Sequence, residues 1–238
     1  MLKVHQVSAK QTDERLSDIS LTVGSGELVA VLGPEYSGKD LLGQVVAGMW
    51  PTSSGVISIN HYFLNRQSLK AKRQIGYVGH QTFLPMALTG FEYLDLVGSV
   101  YRLAPKERLK QIQQLIEDLD FNGQAYTPLE RVSPATLQKV ALAAAFIHEP
   151  TVLILNEPLQ QLDYAGQNQA LELINTAIKN GAAIILITND LPLASQLADQ
   201  LILMSNGEVV ASGTLKQLIN QTKPDHHDLA GVYEAIYQ

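Results

Sequence analysis

The chain has 238 residues, of which 46% are hydrophobic, and it carries a formal net charge of −6 with no cysteine. This length and apolar content suffice for the core of one large domain, and an acidic chain without a basic block is not expected to bind nucleic acid. The absence of cysteine excludes disulfide bonds and thiol catalysis.

No segment predicts insertion into a membrane. The first residues, MLKVH, lack the apolar core of a signal peptide. The longest apolar runs lie at 140–147 and 182–187 and are far shorter than the roughly 20 residues that cross a bilayer. We therefore expect a cytoplasmic protein, which another chain would have to hold at the inner face of the cytoplasmic membrane.

The first half of the chain predicts short strands and helices around a glycine-rich turn. Alternating or continuously apolar residues mark the strands, and apolar residues at helical spacing mark the helices. The predicted strands lie at 2–8, 16–23, 27–32, 56–60 and 75–78. The predicted helices lie at 40–47, 69–73 and 91–103, with one more that begins at Pro105.

In the second half, buried strands alternate with helices. Ser133 followed by Pro134 is typical of a helix start and predicts a helix over 135–148. The later predicted elements are strands at 151–155, 182–188, 200–205 and 208–211, helices at 164–179, 191–197 and 215–221, and a polar tail from 222. This alternation predicts an α/β fold with a mainly parallel sheet, interrupted by the helical stretch 91–148.

The stretch VAVLGPEYSGKD, residues 29–40, has the order strand, glycine-rich loop, helix. Gly33, Gly38 and Lys39 fit the pattern G-x-x-x-x-G-K, in which backbone N–H groups cradle phosphates and the lysine reaches the outer ones. The next residue is normally Ser or Thr, whose hydroxyl binds Mg²⁺, but here it is Asp40. The frame of a nucleotide site is therefore predicted, with one ligand replaced.

Further stretches follow this loop in an order that resembles the nucleotide-binding subunit of an ABC transporter, over nearly the whole chain. They lie at 76–78, 133–139, 153–158, 162–163, 188–190 and 211–214. The segment 76–103 is most similar to the ABC-2 exporter branch, which includes gliding-motility components. The resemblance implies a P-loop NTPase fold, ATP as the ligand, a transmembrane permease subunit as partner, and a homodimer or heterodimer of nucleotide-binding domains.

The resemblance also implies a division of the single domain 1–238. Residues 1–80 and 149–221 would form the RecA-like core with an N-terminal antiparallel β subdomain. Residues from about 81 to 148 would form the inserted α-helical subdomain, and 222–238 the C-terminal tail.

Both positions that the resemblance assigns to Mg²⁺ depart from the family pattern. In the Walker B stretch LILNE, Asn156 stands where the family has Asp, while Glu157, at the position of the catalytic base, is kept. A carboxylate at Asp40 about 4 Å from a phosphate charge costs roughly 4 kcal/mol at an effective dielectric near 20. Two alternatives are that Asp40 caps its helix, or that it reaches Mg²⁺ itself.

Further residues differ from the family pattern at positions expected to contact the phosphates or the adenine. Asn189 stands at the position of the switch histidine. The Q-loop glutamine aligns with His80, although a slip of one residue would place Gln81 there. Glu35 and Tyr36 add a carboxylate and a large ring to the phosphate loop. No aromatic residue lies before position 18 to stack on adenine, so this contact is absent unless Tyr36 or another ring replaces it.

The signature loop, Leu-Ser-Gly-Gly-Gln in the family, reads VSPAT here. Pro134 removes a backbone donor and Ala135 adds a methyl group where the family has glycine, although Ser133 is kept. We interpret this stretch as an ordinary Ser-Pro helix start. A groove for the permease is expected beside the Q-loop, at the loop 80–89, with Tyr93 and Tyr101 either as interface anchors or as core residues.

These departures together predict an ABC nucleotide-binding domain with degenerate catalytic motifs, weak ATP binding and doubtful Mg²⁺ binding. The alternatives are a slow but genuine ATPase that powers ABC-2-type export, and a scaffold or regulator outside transport. Glu157 and Asn189 occupy the catalytic positions, with Glu157 expected to be inactive, and no metal ligand is expected. The candidate nucleotide contacts are Gly33, Glu35, Ser37, Gly38, Lys39, Asp40, Leu41, His80, Gln81, Asn156, Ser133, Pro134 and Ala135.

Overall fold

A computed structural model describes residues 1–81, 83–222 and 228–237. The strands are β1 Leu2–Gln11, β2 Glu14–Val23, β3 Leu28–Leu32, β4 Ser54–Ile59, β5 Tyr62–Phe63, β6 Ile75–Val78, β7 Val152–Asn156, β8 Ala183–Ile187, β9 Gln200–Ser205 and β10 Glu208–Gly213. The helices are α1 Lys39–Val46, α2 Ser68–Lys72, α3 Gly90–Val100, α4 Pro105–Asp118, α5 Pro134–Phe146, α6 Tyr164–Lys179, α7 Leu191–Leu197, α8 Leu215–Gln221 and α9 Leu229–Tyr237. Two short 3₁₀ turns lie at Asn122–Gln124 and Leu129–Arg131.

The larger sheet has six strands in the order β10-β9-β3-β8-β7-β6. Neighbouring strands are parallel from β9 to β6, and only β10 at the edge is antiparallel to its neighbour. Since the central strands are apolar on both faces, they require cover on both sides. The parallel order brings the ends of β3, β7 and β8 to one edge of the sheet, where the glycine-rich loop and Glu157 follow.

The smaller sheet is antiparallel, with the order β2-β1-β4-β5. Its buried residues form one apolar cluster with α1 and with one face of the large sheet, through side chains such as Val31, Leu42 and Ile187. The helix after the glycine-rich loop is therefore held between two sheets. The predicted α/β fold with a mainly parallel sheet and an antiparallel β part is confirmed.

The helices α3, α4 and α5 pack together and cover the other face near β6, burying side chains such as Leu94, Ile112 and Val140. Thr89 begins α3 with a capping box, in which its hydroxyl accepts from Glu92 N and the Glu92 carboxylate accepts from Thr89 N. Our assignment of residues 81–148 to a separate subdomain stays a prediction.

Several predicted elements end elsewhere in the structure. The helix predicted over 91–103 ends at Val100, because Arg102 has a left-handed backbone with φ 65°. The tail from 222 is predicted to be polar as far as an apolar stretch at 232–236, and the structure has a helix there, α9, at residues 229–237, which packs against α7 and α8. Residues 223–227 and 238 of that tail lie outside the described residues. Within the described ranges, no helix has both the length and the apolar character of a membrane span.

Candidate functional site

The loop between β3 and α1 keeps its two glycines for steric reasons. A Cβ atom on Gly33 would lie 2.5 Å from Met204 O and 2.6 Å from Ser37 Oγ. Gly38 has φ +92°, and a Cβ atom there would lie 2.8 Å from Arg15 O. Any other residue would shift the loop, so the backbone shape of a phosphate cradle is built into the packing.

Two side chains of this loop are turned inward. Lys39 is 4% exposed, and its Nζ donates to Pro34 O at 3.3 Å, so it lies across its own loop. Ser37 is 1% exposed, and its Oγ has no hydrogen-bond partner among the described residues. The lysine thus remains at the cradle, as the pattern predicts.

Asp40 and Asn156, the two positions assigned to Mg²⁺, bond directly to each other. Asn156 Nδ2 donates to Asp40 Oδ1 at 2.7 Å. The residue that precedes α1 as its N-cap is Gly38, and the start of this helix has no side-chain cap. Asp40 lies in the first turn of α1, where the helix dipole favours its charge, but among the described residues it makes no capping hydrogen bond. Its carboxylate instead accepts from Asn156 at the end of β7.

This hydrogen bond joins the two residues that differ from the family pattern at the Mg²⁺ positions. Asn156 is 2% exposed, and its amide N–H donates the hydrogen bond that the Asp40 carboxylate accepts. An Asp at position 156 would place two carboxylates in contact in a buried position, which is costly. The sequence shows each substitution, but only the fold shows that they meet.

Glu157 is tied to the loop after β8 and has a left-handed backbone with φ 47°. Its Oε2 accepts from Thr188 Oγ1 at 2.9 Å, and its Oε1 accepts from Asn189 N at 2.7 Å. Thr188 Oγ1 also accepts from Asp190 N at 3.0 Å. Both oxygens at the position of the catalytic base are thus engaged by the segment that carries the switch position.

An open cavity of about 530 Å³ lies over the loop. It brings together seven of the predicted site residues: Glu35, Lys39, Asp40, His80, Gln81, Glu157 and Asn189. Because His80 and Gln81 both line it, the cavity accommodates either alignment of the Q-loop. Other residues that line it were not predicted as site residues: Gln11, Thr12, Asp13, Glu14 and Gln44. The first four lie where β1 turns into β2: Gln11 ends β1, Thr12 and Asp13 form the turn, and Glu14 begins β2. The polar composition of this stretch is its only signal in the sequence.

The remaining predicted residues lie outside this lining. Gly33, Ser37 and Gly38 are buried in the loop, and Leu41 is 0% exposed in the apolar core. The signature stretch begins α5: Ser133 is its N-cap, with Oγ accepting from Thr136 N at 3.2 Å, and Pro134 is the first helical residue. A separate cavity of about 330 Å³ joins Pro134 to His80 and Gln81.

The lining of the larger cavity is strongly acidic. It contains five carboxylates and a single lysine, Lys39: the acids are Asp13, Glu14, Glu35, Asp40 and Glu157. Burial and the charge of Asp40 raise the pKa of Glu14, against a smaller lowering by its bond to the Gly38 backbone. Burial and Asp40 also raise the pKa of Tyr77 to about 12. The field in this cavity therefore disfavours further negative charge.

The backbone loop and Lys39 fit a polyphosphate. At the position expected for magnesium, the Asp40 carboxylate lies where a hydroxyl is expected, and its Oδ1 accepts from Asn156 Nδ2 at 2.7 Å. Asn156 Oδ1 has no hydrogen-bond partner among the described residues, so both side chains still carry an oxygen of the kind that ligates a cation. The oxygen donors at positions 40 and 156 therefore differ from the hydroxyl and carboxylate that the resemblance implies.

A second open cavity of about 540 Å³ lies on the other side of residues 77–81 and is mainly apolar. Its exposed side chains include Phe83, which is 86% exposed, and Val100, which is 67% exposed. Tyr93 and Tyr101 are half-buried in its wall, and the Tyr101 ring stacks on His148 at a centroid distance of 3.6 Å. Burial lowers the pKa of His148 to about 4, so this side chain is uncharged at neutral pH. In the predicted docking loop 80–89, Thr82 lies outside the described residues.

Comparison with known proteins decides the family. The family described as ABC transporter matches residues 16–160. The chain belongs to this family. Its members bind ATP, pair as dimers of nucleotide-binding domains and act with transmembrane permease subunits, and this chain is a nucleotide-binding subunit of such a transporter.

Relatives and solved structures agree with this membership. The linearmycin resistance ATP-binding protein LnrL of Bacillus subtilis (strain 168) is 28% identical over 221 residues, covering 92% of this chain and 71% of LnrL. A solved ATP-binding subunit of an ABC transporter is 29% identical with a TM-score of 0.94, and each chain is covered completely. The dimeric cassette MJ0796, bound to ADP and Pi, has a TM-score of 0.81 at 24% identity over 90% of this chain and 99% of its own, which shows the shared fold.

Proposed function

We propose that this ABC subunit has a degenerate nucleotide site, impaired in binding and hydrolysing Mg·ATP, and that it serves a structural or regulatory role at a membrane partner. The observation that carries this proposal is the 2.7 Å hydrogen bond from Asn156 Nδ2 to Asp40 Oδ1. It joins the two positions at which the family would hold Mg²⁺.

The negative charge of the cavity lining also supports impaired binding of Mg·ATP. A nucleotide triphosphate entering this cavity would bring its phosphates next to Asp40 and into a lining with five carboxylates and one lysine. The Mg²⁺ that normally offsets phosphate charge would meet a carboxylate and an amide, Asp40 and Asn156, in place of the family's hydroxyl and carboxylate. Glu157, at the position of the base, is held to the loop after β8, since its two oxygens each accept one hydrogen bond, from Thr188 and from Asn189.

The apolar cavity supports the membrane partner. Exposed Phe83, Val100 and Leu96, which is 50% exposed, form an apolar surface around a cavity of about 540 Å³. Clusters of this kind mark protein interaction sites. We place a cytoplasmic segment of the permease here, which would hold the subunit peripherally on the inner face of the membrane.

A second candidate function is a slow but genuine ATPase that powers export of the ABC-2 type. Lys39 and Glu157 both remain in the cavity, and one relative is described as an ATP-binding protein for linearmycin resistance. This candidate predicts ATPase activity of the assembled complex that disappears on Glu157→Gln.

The test is a calorimetric titration of the full chain with ATP, with and without Mg²⁺. We expect a dissociation constant weaker than about 1 mM, with little change on adding Mg²⁺. Lys39→Ala should abolish any residual heat, whereas the matched surface change Lys179→Ala at the end of α6 should leave it unchanged. Low-micromolar affinity that Mg²⁺ tightens would refute the proposal.

A further inference from the structure

The charges of this chain are divided unevenly along the sequence. Between Asp40 and Glu92 there is no acidic residue, and the basic residues in that segment are Arg66, Lys70, Lys72 and Arg73. The other 13 of the 17 basic residues share the rest of the chain with all 23 acidic ones, so the segment carries +4 and the rest carries −10. A charge asymmetry of this size favours contact with an anionic partner through one segment.

The positive charge of this segment is open to an external partner. All four basic side chains are exposed. The ion pairs within 4.0 Å among the described residues lie elsewhere, on Arg108 and Arg131, so none of the four has a carboxylate partner there. Lys70 Nζ stands 5.7 Å from the ring centre of Tyr62, a contact that holds this cation beside β5.

The helix α2 turns an apolar side chain toward solvent. It buries Ala71 completely, whereas Leu69 is 78% exposed. Since residues three and four apart share one side of a helix, Lys72 and Arg73 lie on the same side as Leu69. The strand β5, which packs against α2, adds the exposed ring of Phe63. Exposed apolar side chains among cations form the kind of surface that binds at the boundary between lipid headgroups and acyl chains.

This basic face borders the apolar cavity that we assign to the permease. Lys72 and Met49, which is 62% exposed, line both that cavity and a neighbouring open cavity of about 410 Å³. A permease segment seated in the apolar cavity would therefore bring the basic face close to the membrane that holds the permease.

We propose that the basic face, formed by Met49, Phe63 and residues 66–73, contacts the anionic lipid headgroups of that membrane. This inference rests on the membrane placement in the proposed function. The cations meet the lipid phosphates, and Leu69 and Phe63 reach the apolar boundary beneath them, a contact that a purely polar anionic partner does not provide. Because one cluster of cations gives only reversible attachment, the contact orients a subunit that the permease holds.

The test is co-sedimentation of the full chain with vesicles that contain no permease, made of phosphatidylcholine alone or with about half phosphatidylglycerol. At low salt we expect partitioning onto the anionic vesicles to exceed that onto the neutral ones at least about tenfold, and this preference should be lost near about 0.5 M salt. The triple variant Lys70→Gln, Lys72→Gln, Arg73→Gln should lower partitioning onto anionic vesicles at least about fivefold.

A matched control removes the same charge elsewhere. The triple variant Lys106→Gln, Lys110→Gln, Lys179→Gln changes exposed positions on α4 and α6, so both triple variants have the same net charge. It should change partitioning less than about twofold, because the attraction depends on cations that face the lipid.

A dye at position 69 separates insertion from simple charge attraction. Because the chain has no cysteine, Leu69→Cys provides a single site for an environment-sensitive label. Its emission should shift to the blue on anionic vesicles, as the side chain leaves water for the headgroup region. The same label on Val210→Cys should not shift, since exposed Val210 lies on β10, at the edge of the large sheet opposite β6, which α2 directly precedes.

Three results would overturn the inference: equal partitioning onto neutral and anionic vesicles, equal loss in the two triple variants, or binding of soluble heparin with no dye shift on vesicles. The last would assign the basic face to a polyanionic macromolecule. The Mg·ATP titration separates this inference from the proposed function. If the chain binds neither the vesicles nor Mg·ATP, the lipid inference is wrong and the proposed nucleotide defect stands. If Mg·ATP binds at low micromolar concentration and the vesicles bind as expected, the nucleotide defect is wrong and the lipid surface stands.

Discussion

Two cavities of nearly equal size, about 530 and 540 Å³, lie on either side of the segment 77–81 and share Gln81 in their linings. The first, over the glycine-rich loop, is acidic and polar, whereas the second is apolar and carries exposed Phe83 and Val100. Both cavities lie on the fold that this chain shares with the ABC transporter family. The difference lies in the side chains: the acidic cavity has a carboxylate and an amide, Asp40 and Asn156, at the positions that the family pattern gives to a hydroxyl and a carboxylate, while the apolar cavity has the composition of an interaction surface.

In this fold, the backbone shape of the glycine-rich loop does not depend on which side chains stand at positions 40 and 156. Gly33 and Gly38 are required by the packing of the loop itself, so they persist whether or not phosphate binds. Asp40 and Asn156 depend on each other instead, through one hydrogen bond. Substitutions in one of these features should therefore leave the other in place.

Asn156→Asp should have the largest effect, because it sets a buried carboxylate against Asp40. We expect a loss of about 3 kcal/mol in the free energy of unfolding at pH 7, measured by urea denaturation, since breaking a buried charged contact costs this order. Adding Asp40→Thr should restore most of the loss, as the double variant has one carboxylate again. Additive losses would show that the two side chains are not coupled.

Phe83→Glu tests the apolar cavity without touching the acidic one. Charge on an 86% exposed ring should leave the fold intact but weaken the complex with the membrane partner by about 2 kcal/mol, roughly 30-fold. The measurement is the fraction of tagged chain that sediments with membranes of the source cells. Val210→Glu, on the edge strand β10 and 48% exposed, is the matched control. Equal loss in both variants would rule out the docking surface.

Asp40→Thr should raise ATP affinity about tenfold, because it removes one repelling carboxylate and restores a hydroxyl. Hydrolysis should not return, since Asn156, Asn189 and the Ser133-Pro134 helix start are unchanged. The readouts are calorimetry for binding and phosphate release for turnover. Robust hydrolysis by this single variant would mean that the other departures matter little.

The strands and helices can be predicted from the sequence because the residue patterns that mark them are local. Apolar runs marked β7 and β8, and Ser133-Pro134 marked the start of α5. The bond between Asp40 and Asn156 joins residues 116 positions apart and depends on strand order, which no local pattern reports. The acidic turn from β1 to β2 was missed for the same reason, since Asp13 and Glu14 approach the loop only once the small sheet has folded onto α1.

The smallest effect concerns pH and Glu14. Burial and the neighbouring Asp40 raise the pKa of Glu14 in the folded chain above its ordinary value of 4.5. The folded state therefore holds this proton more tightly than the unfolded state does, so its contribution to stability is present below the unfolded pKa and is lost as pH rises through the folded pKa. Glu14→Gln removes this titration, and stability measured against pH should fall less between acid and neutral pH than in the original chain. Glu172→Gln, an exposed carboxylate on α6, should leave the slope unchanged. A steeper fall in stability with rising pH in the Glu14 variant would mean that the charged Glu14 carboxylate stabilises the fold. In that case, contacts in the folded chain would offset the negative charge of the acidic cavity.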